Sequence, residues 1–336
     1  MTAVSPPEAL GRRSLKAAIQ LIVLYGALPI IIALMYLGFG LIEPAFHSGE
    51  NAINILKQSS YLAIFAAGQM FALLTRGFDL SVGQLISLVS VSSGLVMLSV
   101  LDSNPGAVAL AVLAGCAVGV GAGVAAGAVN GVCVSVFRIN PFVVTLGMLG
   151  ICMGFATTLS DGFPVFNLPE GLTNTLSRGT VIGIPAPVIG AMLVLGTAYV
   201  ILNHSVLGRS MYVIGSNPRA AHTAGLRSRL HLASAYVICS FFVAIGALLL
   251  TARTGSGEPN LGGGLMLQSI AAAVIGGVSL RGGEGKVIHA VYGALFVTVL
   301  SVGMNLIRVD GTIQQIILGI VVVAAVYLDQ LRTRFR

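Results

Sequence analysis

Tryptophan is absent from the chain, and only 9% of its 336 residues are charged. A soluble globular domain carries roughly 25% charged residues, so a water-covered surface of this size is excluded. Without tryptophan a tight carbohydrate site inside the chain is not expected either, because such sites commonly stack aromatic faces on the sugar ring. The four cysteines (Cys116, Cys133, Cys152, Cys239) and five histidines (His47, His204, His222, His231, His289) lack the spacing of a metal site. The cysteines fall within or at the edges of apolar stretches, where they read as small packing residues and not as a disulfide framework.

Catalytic signatures are missing as well. Gly277-Val278-Ser279-Leu280-Arg281 approaches a nucleophile elbow but lacks its last glycine. Gly285-Lys286 has Leu280 where a phosphate loop needs its first glycine, and Val287 where it needs Ser or Thr. ATP hydrolysis is therefore not expected of this chain, and no catalytic residue or metal ligand can be assigned. A membrane-buried proton relay needs ionisable groups inside several spans, and the apolar stretches hold almost none. Sodium coupling through backbone carbonyls stays open.

What the chain has instead is apolar length. Hydrophobic residues make up 56%, and the mean hydropathy is +0.96. A helix crosses about 30 Å of hydrocarbon with about 20 apolar residues. Apolar runs at 17–42, 53–75, 80–101, 106–137, 142–160, 185–203, 230–252, 265–280, 287–307 and 311–328 predict an all-α integral membrane protein. It is a polytopic bundle of about ten transmembrane helices, with 265–280 short enough to be re-entrant. The expected plan is a cytoplasmic segment 1–16, one membrane domain 17–328 with a basic loop at 206–229, and a cytoplasmic tail 329–336. Arg12-Arg13-Ser14-Leu15-Lys16 precedes a run far longer than the 7–15-residue core of a signal peptide, so it reads as the start of an uncleaved helix.

The net charge of +7 need not mean nucleic acid. With the N-terminus inside, only Lys57, Arg178, Arg253 and Arg308 of the 18 basic residues face outward, as the positive-inside rule requires. Both termini are expected in the cytoplasm.

Local patterns then single out residues. Within 206–229, Asn217 can cap a short helix, Pro218 fits its first position and Gly225 can end it in a left-handed conformation. Ala220, Ala221 and Ala224 would leave one side of it nearly flat, open to close approach by another protein. So short a helix is marginal alone in water; on these residues it is either a docking element or a plain connector. Gly115, Gly119, Gly123, Gly127 and Gly131 recur every four residues. They form one helical stripe suited to backbone-to-backbone packing inside a bundle.

Two apolar regions are interrupted by glycine, Leu74–Gly83 and Ala273–Lys286, and they match weakly at an offset of 200 (Gly77 with Gly277, Leu80 with Leu280, Gly83 with Gly283). Glycine-broken segments in two halves of a transporter point to its pathway. Asp79 is the sole acid between Glu50 and Asp102. An ionised carboxylate at mid-bilayer costs about 2.5–3.5 kcal/mol on insertion scales, so Asp79 should lie near an interface or pair with Arg76, one turn earlier. A helix-start role for Asp79 and Ser81 and a gating role are both open.

With these residues in hand, the chain resembles the permease subunits of ribose/xylose/galactose-type ABC importers over roughly 50–328. The family pattern threonine–glycine–glycine–apolar–Asp-Leu-Ser-Val-Gly is met by Thr75 to Gly83, with Arg76 in place of a glycine. The second signature is Asn130-Gly131 followed by Arg138 to Gly147, the third runs from Gly208-Arg209 to Gly225, and the fourth is Ile270 to Leu280 with Gly282-Gly283-Glu284-Gly285. The chain departs from the pattern at Leu267-Gln268-Ser269, where the family usually has an acid; this leaves the solute open.

The resemblance implies two permease copies (homo- or heterodimer) in the lipid of the inner membrane, a cytoplasmic ABC ATPase and a periplasmic solute-binding protein. The chain itself needs no cofactor, since ATP-Mg binds the partner, and no nucleic acid. It further implies that Asn217, Pro218, Arg219, Ala220, Ala221 and Gly225 form the segment gripped by the ATPase. Asp79, Ser81, Asn130, Thr145, Gly276, Gly277 and Asn305 are the candidates for pathway or gating. A branched-chain amino-acid permease and a stand-alone secondary carrier are the alternative readings.

Overall fold

Each apolar stretch is helical wherever it falls within the residues that the structure, a computed structural model, describes: 27–334, with side chains through Tyr327. The expected segment 1–16 and the start of the first apolar run lie outside them. Thirteen α-helices occur among the described residues. They are α1 (Leu28–Ile42), α2 (Gly49–Leu74), α3 (Val82–Ser103), α4 (Val108–Ser135), α5 (Pro141–Leu159) and α6 (Glu170–Leu176). After a two-stranded hairpin of β1 (Thr180–Val181) and β2 (Ile184–Pro185) come α7 (Ala186–His204), α8 (Val206–Ser216) and α9 (Pro218–Thr223). The rest are α10 (Ser228–Thr254), α11 (Leu265–Gly276), α12 (Val287–Leu306) and α13 (Gly311–Arg334).

Six of these (α3, α4, α5, α7, α10 and α12) are long and apolar enough to cross a membrane. The 26-residue α2 is long enough as well, about 39 Å at 1.5 Å per residue, but begins with polar residues. The 12-residue α11 extends only about 18 Å, so the stretch 265–280 does not cross alone. The last helix continues through Arg334, past the expected end of the final span at 328.

α2 and α10 form the centre. From Ser59 to its end α2 is buried throughout, and Phe65, Phe71 and Phe242 of the two helices lie together in the main core. The glycine ladder explains how α4 joins them. All five of its glycines are buried, and the space that a Cβ would need is filled by α3 at Gly115, by α3 and α10 at Gly119, and by α10 from Gly123 to Gly131. At Gly123 a Cβ would sit 2.6 Å from the Ala244 Cβ, and at Gly131 2.6 Å from the Ala233 carbonyl. The other side of α4 exposes Leu110, Leu113, Val129 and Val132, and α5 and α7 expose Phe142, Phe155, Leu193 and Val200. This apolar outer surface is what lipid requires.

Gly123→Leu is therefore expected to lower the melting temperature of the detergent-purified protein far more than Val124→Leu, by a ΔΔG of about 1–3 kcal/mol or more from overpacking. Indistinguishable melting curves would remove the ladder from the bundle interior.

Loops gather at two faces. At one, Val165 bridges Gly257 and Gly255 lies beside Thr173. At the other, the connections 75–81, 205–227 and 277–286 meet.

Candidate functional site

The α2–α3 connection does not stay at the face where α2 ends. The chain turns at Arg76, whose φ is +64°, and climbs back into the bundle. Gly77, Asp79 and Ser81 are buried, Asp79 completely. Irregular backbone is tolerated at membrane depth only where protein satisfies it. Here the side-chain amide of Gln69 does so: in the orientation assigned from the groups it faces, its nitrogen donates to the Asp79 carbonyl and its oxygen accepts the Asp79 N–H, both at 3.2 Å. The carboxylate then holds Ser81, the residue before the next helix, whose first turn has no side-chain cap. Asp79 Oδ1 accepts from the Ser81 N–H at 2.9 Å and from the Ser81 hydroxyl, and Asn130 Nδ2 donates to Ser81 Oγ at 3.1 Å. Tyr236 and Cys239 lie within electrostatic reach of the same carboxyl. Asp79 Oδ2, Asn130 Oδ1, and the hydroxyls of Tyr236 and Ser240 are buried without hydrogen-bond partners. Gly77 makes the close approach possible, because a Cβ there would collide with the Tyr236 hydroxyl.

Pairing of Asp79 with Arg76 is not what the structure shows. The left-handed turn sends the guanidinium outward, where Nε donates to the Gly215 carbonyl and Nη2 to the Ser216 carbonyl at 2.7 Å. These are the last carbonyls of α8, so a fixed cation sits at the negative end of a helix. The same knot takes in the third connection. Gly283 N–H donates to the Leu74 carbonyl at 2.9 Å, and the Tyr212 hydroxyl donates to the Gly285 carbonyl at 2.6 Å. The backbones of Leu74, Gly215 and Gly283 approach so closely that no side chain fits at Gly215.

The residue next to Ser216 is Asn217, which begins α9. Its Oδ1 accepts the N–H groups of Arg219 and Ala220, both at 3.1 Å, and Pro218 occupies the first turn. Gly225 has φ +71°, and the Leu226 N–H returns to the Ala221 carbonyl at 3.1 Å. The capped short helix read from the sequence is present. One detail differs: Ala221 is fully buried, while Ala220 and Ala224 are exposed. Ala221 anchors α9 to the bundle and does not belong to its open side. The reason is helical geometry, which turns Ala221 about 100° away from Ala220.

A second irregular stretch, 255–264, leads from α10 back into the bundle. The Glu258 N–H donates to Ser90 Oγ and the Gly262 N–H to Ser87 Oγ, both at 3.1 Å, and Thr251 joins Ser90 at 2.8 Å. Hydroxyls one and two turns into α3 thus satisfy backbone that lacks a helix of its own. Beside this stretch, α2, α10, α11, α12 and α13 enclose a cavity of about 300 Å³. Gln268, in the segment that departs from the family pattern, lines it, and so does Asn305.

The structure therefore joins Asp79, Ser81 and Asn130 in one buried network, with Gln69 as a member that sequence reading missed. Its signal was a lone amide in an otherwise apolar half of α2. Thr145 is buried but returns its hydroxyl to the Pro141 carbonyl of its own helix. Gly276 packs against His289, and Gly277 ends α11 with φ +115°; both stand apart from the network. Asn305 lies at the opposite end, where Gln314 donates to it at 2.9 Å.

Apolar helices around two chain breaks, the first largely buried and the second partly so, each satisfied by side chains from neighbouring helices, are the architecture of a multi-pass membrane transport protein. Comparison with known sequences narrows the class. Residues 51–326 match the family described as the permease component of the branched-chain amino acid transport system, and the chain belongs to that family. It is 33% identical over 302 residues to the D-allose transport system permease of Escherichia coli K12, covering 90% of each chain. To the ribose import permease of Bacillus subtilis 168 it is 34% identical over 291 residues, covering 86% of this chain and 88% of the relative. To the galactose/methyl galactoside import permease of Escherichia coli K12 the figures are 31% over 303 residues, 86% and 89%. No solved structure matches. The protein is a multi-pass inner-membrane permease component.

Proposed function

We propose that this chain is the membrane-spanning subunit of an ABC importer that moves a monosaccharide or related small polar solute by alternating access. The family description speaks of branched-chain amino acids, but the relatives matched along most of the chain are permeases for allose, ribose and galactose. Their agreement supports the sugar class over the amino-acid alternative. About ten helices cross the membrane with both termini in the cytoplasm, which puts the face carrying α9 inside and the face carrying Arg253 outside. The working assembly has two permease copies, two cytoplasmic ATPases that hold ATP-Mg, and a periplasmic binding protein.

The observation that carries the mechanism is the Arg76 knot. α9 offers a capped peg with exposed Ala220 and Ala224, and two residues before it the chain is bound through Arg76 to the connection 75–81 that carries Asp79. A push on α9 by closing ATPases is thereby delivered to buried, discontinuous backbone. ATP supplies the free-energy difference between inward- and outward-open states that such a switch needs.

The test is coupled turnover in proteoliposomes holding permease, ATPase and binding protein. Ala220→Glu with Ala224→Glu places charge on the open side only, so it should abolish solute-stimulated ATP hydrolysis while the melting temperature is unchanged. Full stimulation in this variant would refute α9 as the coupling helix. Solute uptake by the permease alone, without nucleotide, would favour the stand-alone carrier.

A further inference from the structure

The cavity at the far face from α9 has a chemical character of its own. Gln58 and Tyr61 of α2, Arg253 of α10, Gln268 of α11, Asn305 of α12 and Gln314 of α13 all line it. Amides and hydroxyls dominate, one cation is present and no carboxylate lines the wall. The Arg253 guanidinium lies 5.7 Å from the centroid of the Tyr61 ring. A cation over an aromatic face is held in place by the ring quadrupole but keeps its hydrogen-bond donors free. Among the described residues, none of the ion pairs or hydrogen bonds found takes those donors. Tyr61 is 3% exposed, and its hydroxyl has no hydrogen-bond partner. A buried phenol without a partner costs about 1–3 kcal/mol, so it marks a place where something else completes the wall.

The volume lies at the small end of the 300–1,000 Å³ typical of ligand cavities, suited to a molecule of single-ring size. Arg253 is exposed, so its guanidinium stands at the mouth of the cavity with its donors hydrated and without a protein partner; there it selects carboxylate over neutral or cationic groups, through charge-assisted and commonly bidentate bonds. The several amides, each both donor and acceptor, match the alternating demands of vicinal hydroxyls. The one ring that could stack on a sugar, Tyr61, is already covered by Arg253 on one face, so affinity should be low.

We propose that this cavity is a solute-recognition site for an anionic monosaccharide, a sugar that carries a carboxylate. Arg253 pairs the carboxylate, the Tyr61 hydroxyl completes its contacts, and Gln58, Gln268 and Asn305 take the sugar hydroxyls. The inference deepens the importer reading and rests on it for the side at which solute enters. Its test uses no nucleotide and no ATPase, so failure here is distinct from failure of the coupling experiment.

The probes are D-galacturonate, D-galactose and D-galactosamine, which share a ring and differ in charge. Saturation-transfer NMR on the full-length permease in neutral detergent reads millimolar binding. Galacturonate is expected to bind about tenfold more tightly than galactose, the size of one charge-assisted contact, and galactosamine most weakly. Arg253→Gln should erase the difference between galacturonate and galactose, while Arg253→Lys keeps a preference for the acid. Equal binding of the three probes, no saturable binding of any, or an unchanged preference in Arg253→Gln overturns the proposal. Two rival occupants are read out directly. If galacturonate binding is lost when the protein is moved into nanodiscs with anionic lipid, a lipid headgroup fills the cavity. If Arg253→Gln weakens only docking of the binding protein, the guanidinium serves a protein partner. Either result overturns the sugar-acid site.

Discussion

Arg76→Gly is expected to give a folded permease whose solute-stimulated ATP hydrolysis falls about tenfold or more. The guanidinium makes two bonds to the carbonyls that end α8, immediately before the coupling helix. Hydrogen bonds from charged groups contribute about 1.5–3 kcal/mol each, and about 1.4 kcal/mol is a factor of ten. Stability should suffer much less, because glycine relieves the left-handed backbone at φ +64°. A residue with a Cβ gives up about 1–2 kcal/mol in that conformation. Arg76→Ala loses the same bonds and keeps the strain, so it should melt below Arg76→Gly by about 1 kcal/mol. Arg76→Lys retains the charge at the helix end but cannot reproduce the two-pronged contact, and should fall between the wild type and Arg76→Gly in coupled activity. Two measurements decide the matter: ATPase stimulation in proteoliposomes, and thermal unfolding in detergent. Wild-type coupling in Arg76→Gly would remove Arg76 from the transmission route, whatever its stability.

The same residue shows where sequence reading stops. The family pattern has a glycine at this position, and the positive φ supplies the reason. The sequence suggested instead that Asp79 lies near an interface or pairs with Arg76, one turn earlier. That inference assumed a continuing helix, and the left-handed turn aims the two side chains in opposite directions, one to the face and one to the core.

Features written in local chemistry were legible. The caps of α9 depend on Asn217, Pro218 and Gly225 within a few residues, and the stripe on α4 depends on a four-residue period. Whether Ala221 faced out or in depended on where the bundle lay, which a six-residue helix does not encode. The buried network was out of reach for another reason. Gln69, Asp79, Asn130 and Tyr236 come from three helices and one connection, and only tertiary packing brings them together. Glycine interruptions flagged the first break, within Leu74–Gly83, but the other flagged region was Ala273–Lys286 and not the stretch 255–264; the serines that satisfy that stretch, Ser87 and Ser90, look like ordinary small residues of an apolar span.

The largest loss of stability is expected at Asp79. Asp79→Ala removes the acceptor of both the Ser81 N–H and the Ser81 hydroxyl. Ser81, the residue before α3, loses its tie, and Asn130 is left bonded to a hydroxyl with no anchor. Unsatisfied buried polar groups cost about 1–3 kcal/mol each, so a fall of about 2–4 kcal/mol is expected. Asp79→Asn keeps an Oδ1 acceptor in the same place and changes only the oxygen that has no partner, so it should cost under about 1 kcal/mol. Because the groups act as a chain, the effects should not add. Asp79→Ala combined with Ser81→Ala should be scarcely worse than Asp79→Ala alone, a coupling of about 1–2 kcal/mol within the range for contacting residues. Detergent melting of the four proteins, with the wild type, checks this. If Asp79→Ala melts with the wild type, or the double variant shows the plain sum of the singles, then Asp79 does not hold the start of α3. The break between α2 and α3 would then be held by Gln69 and Arg76 alone.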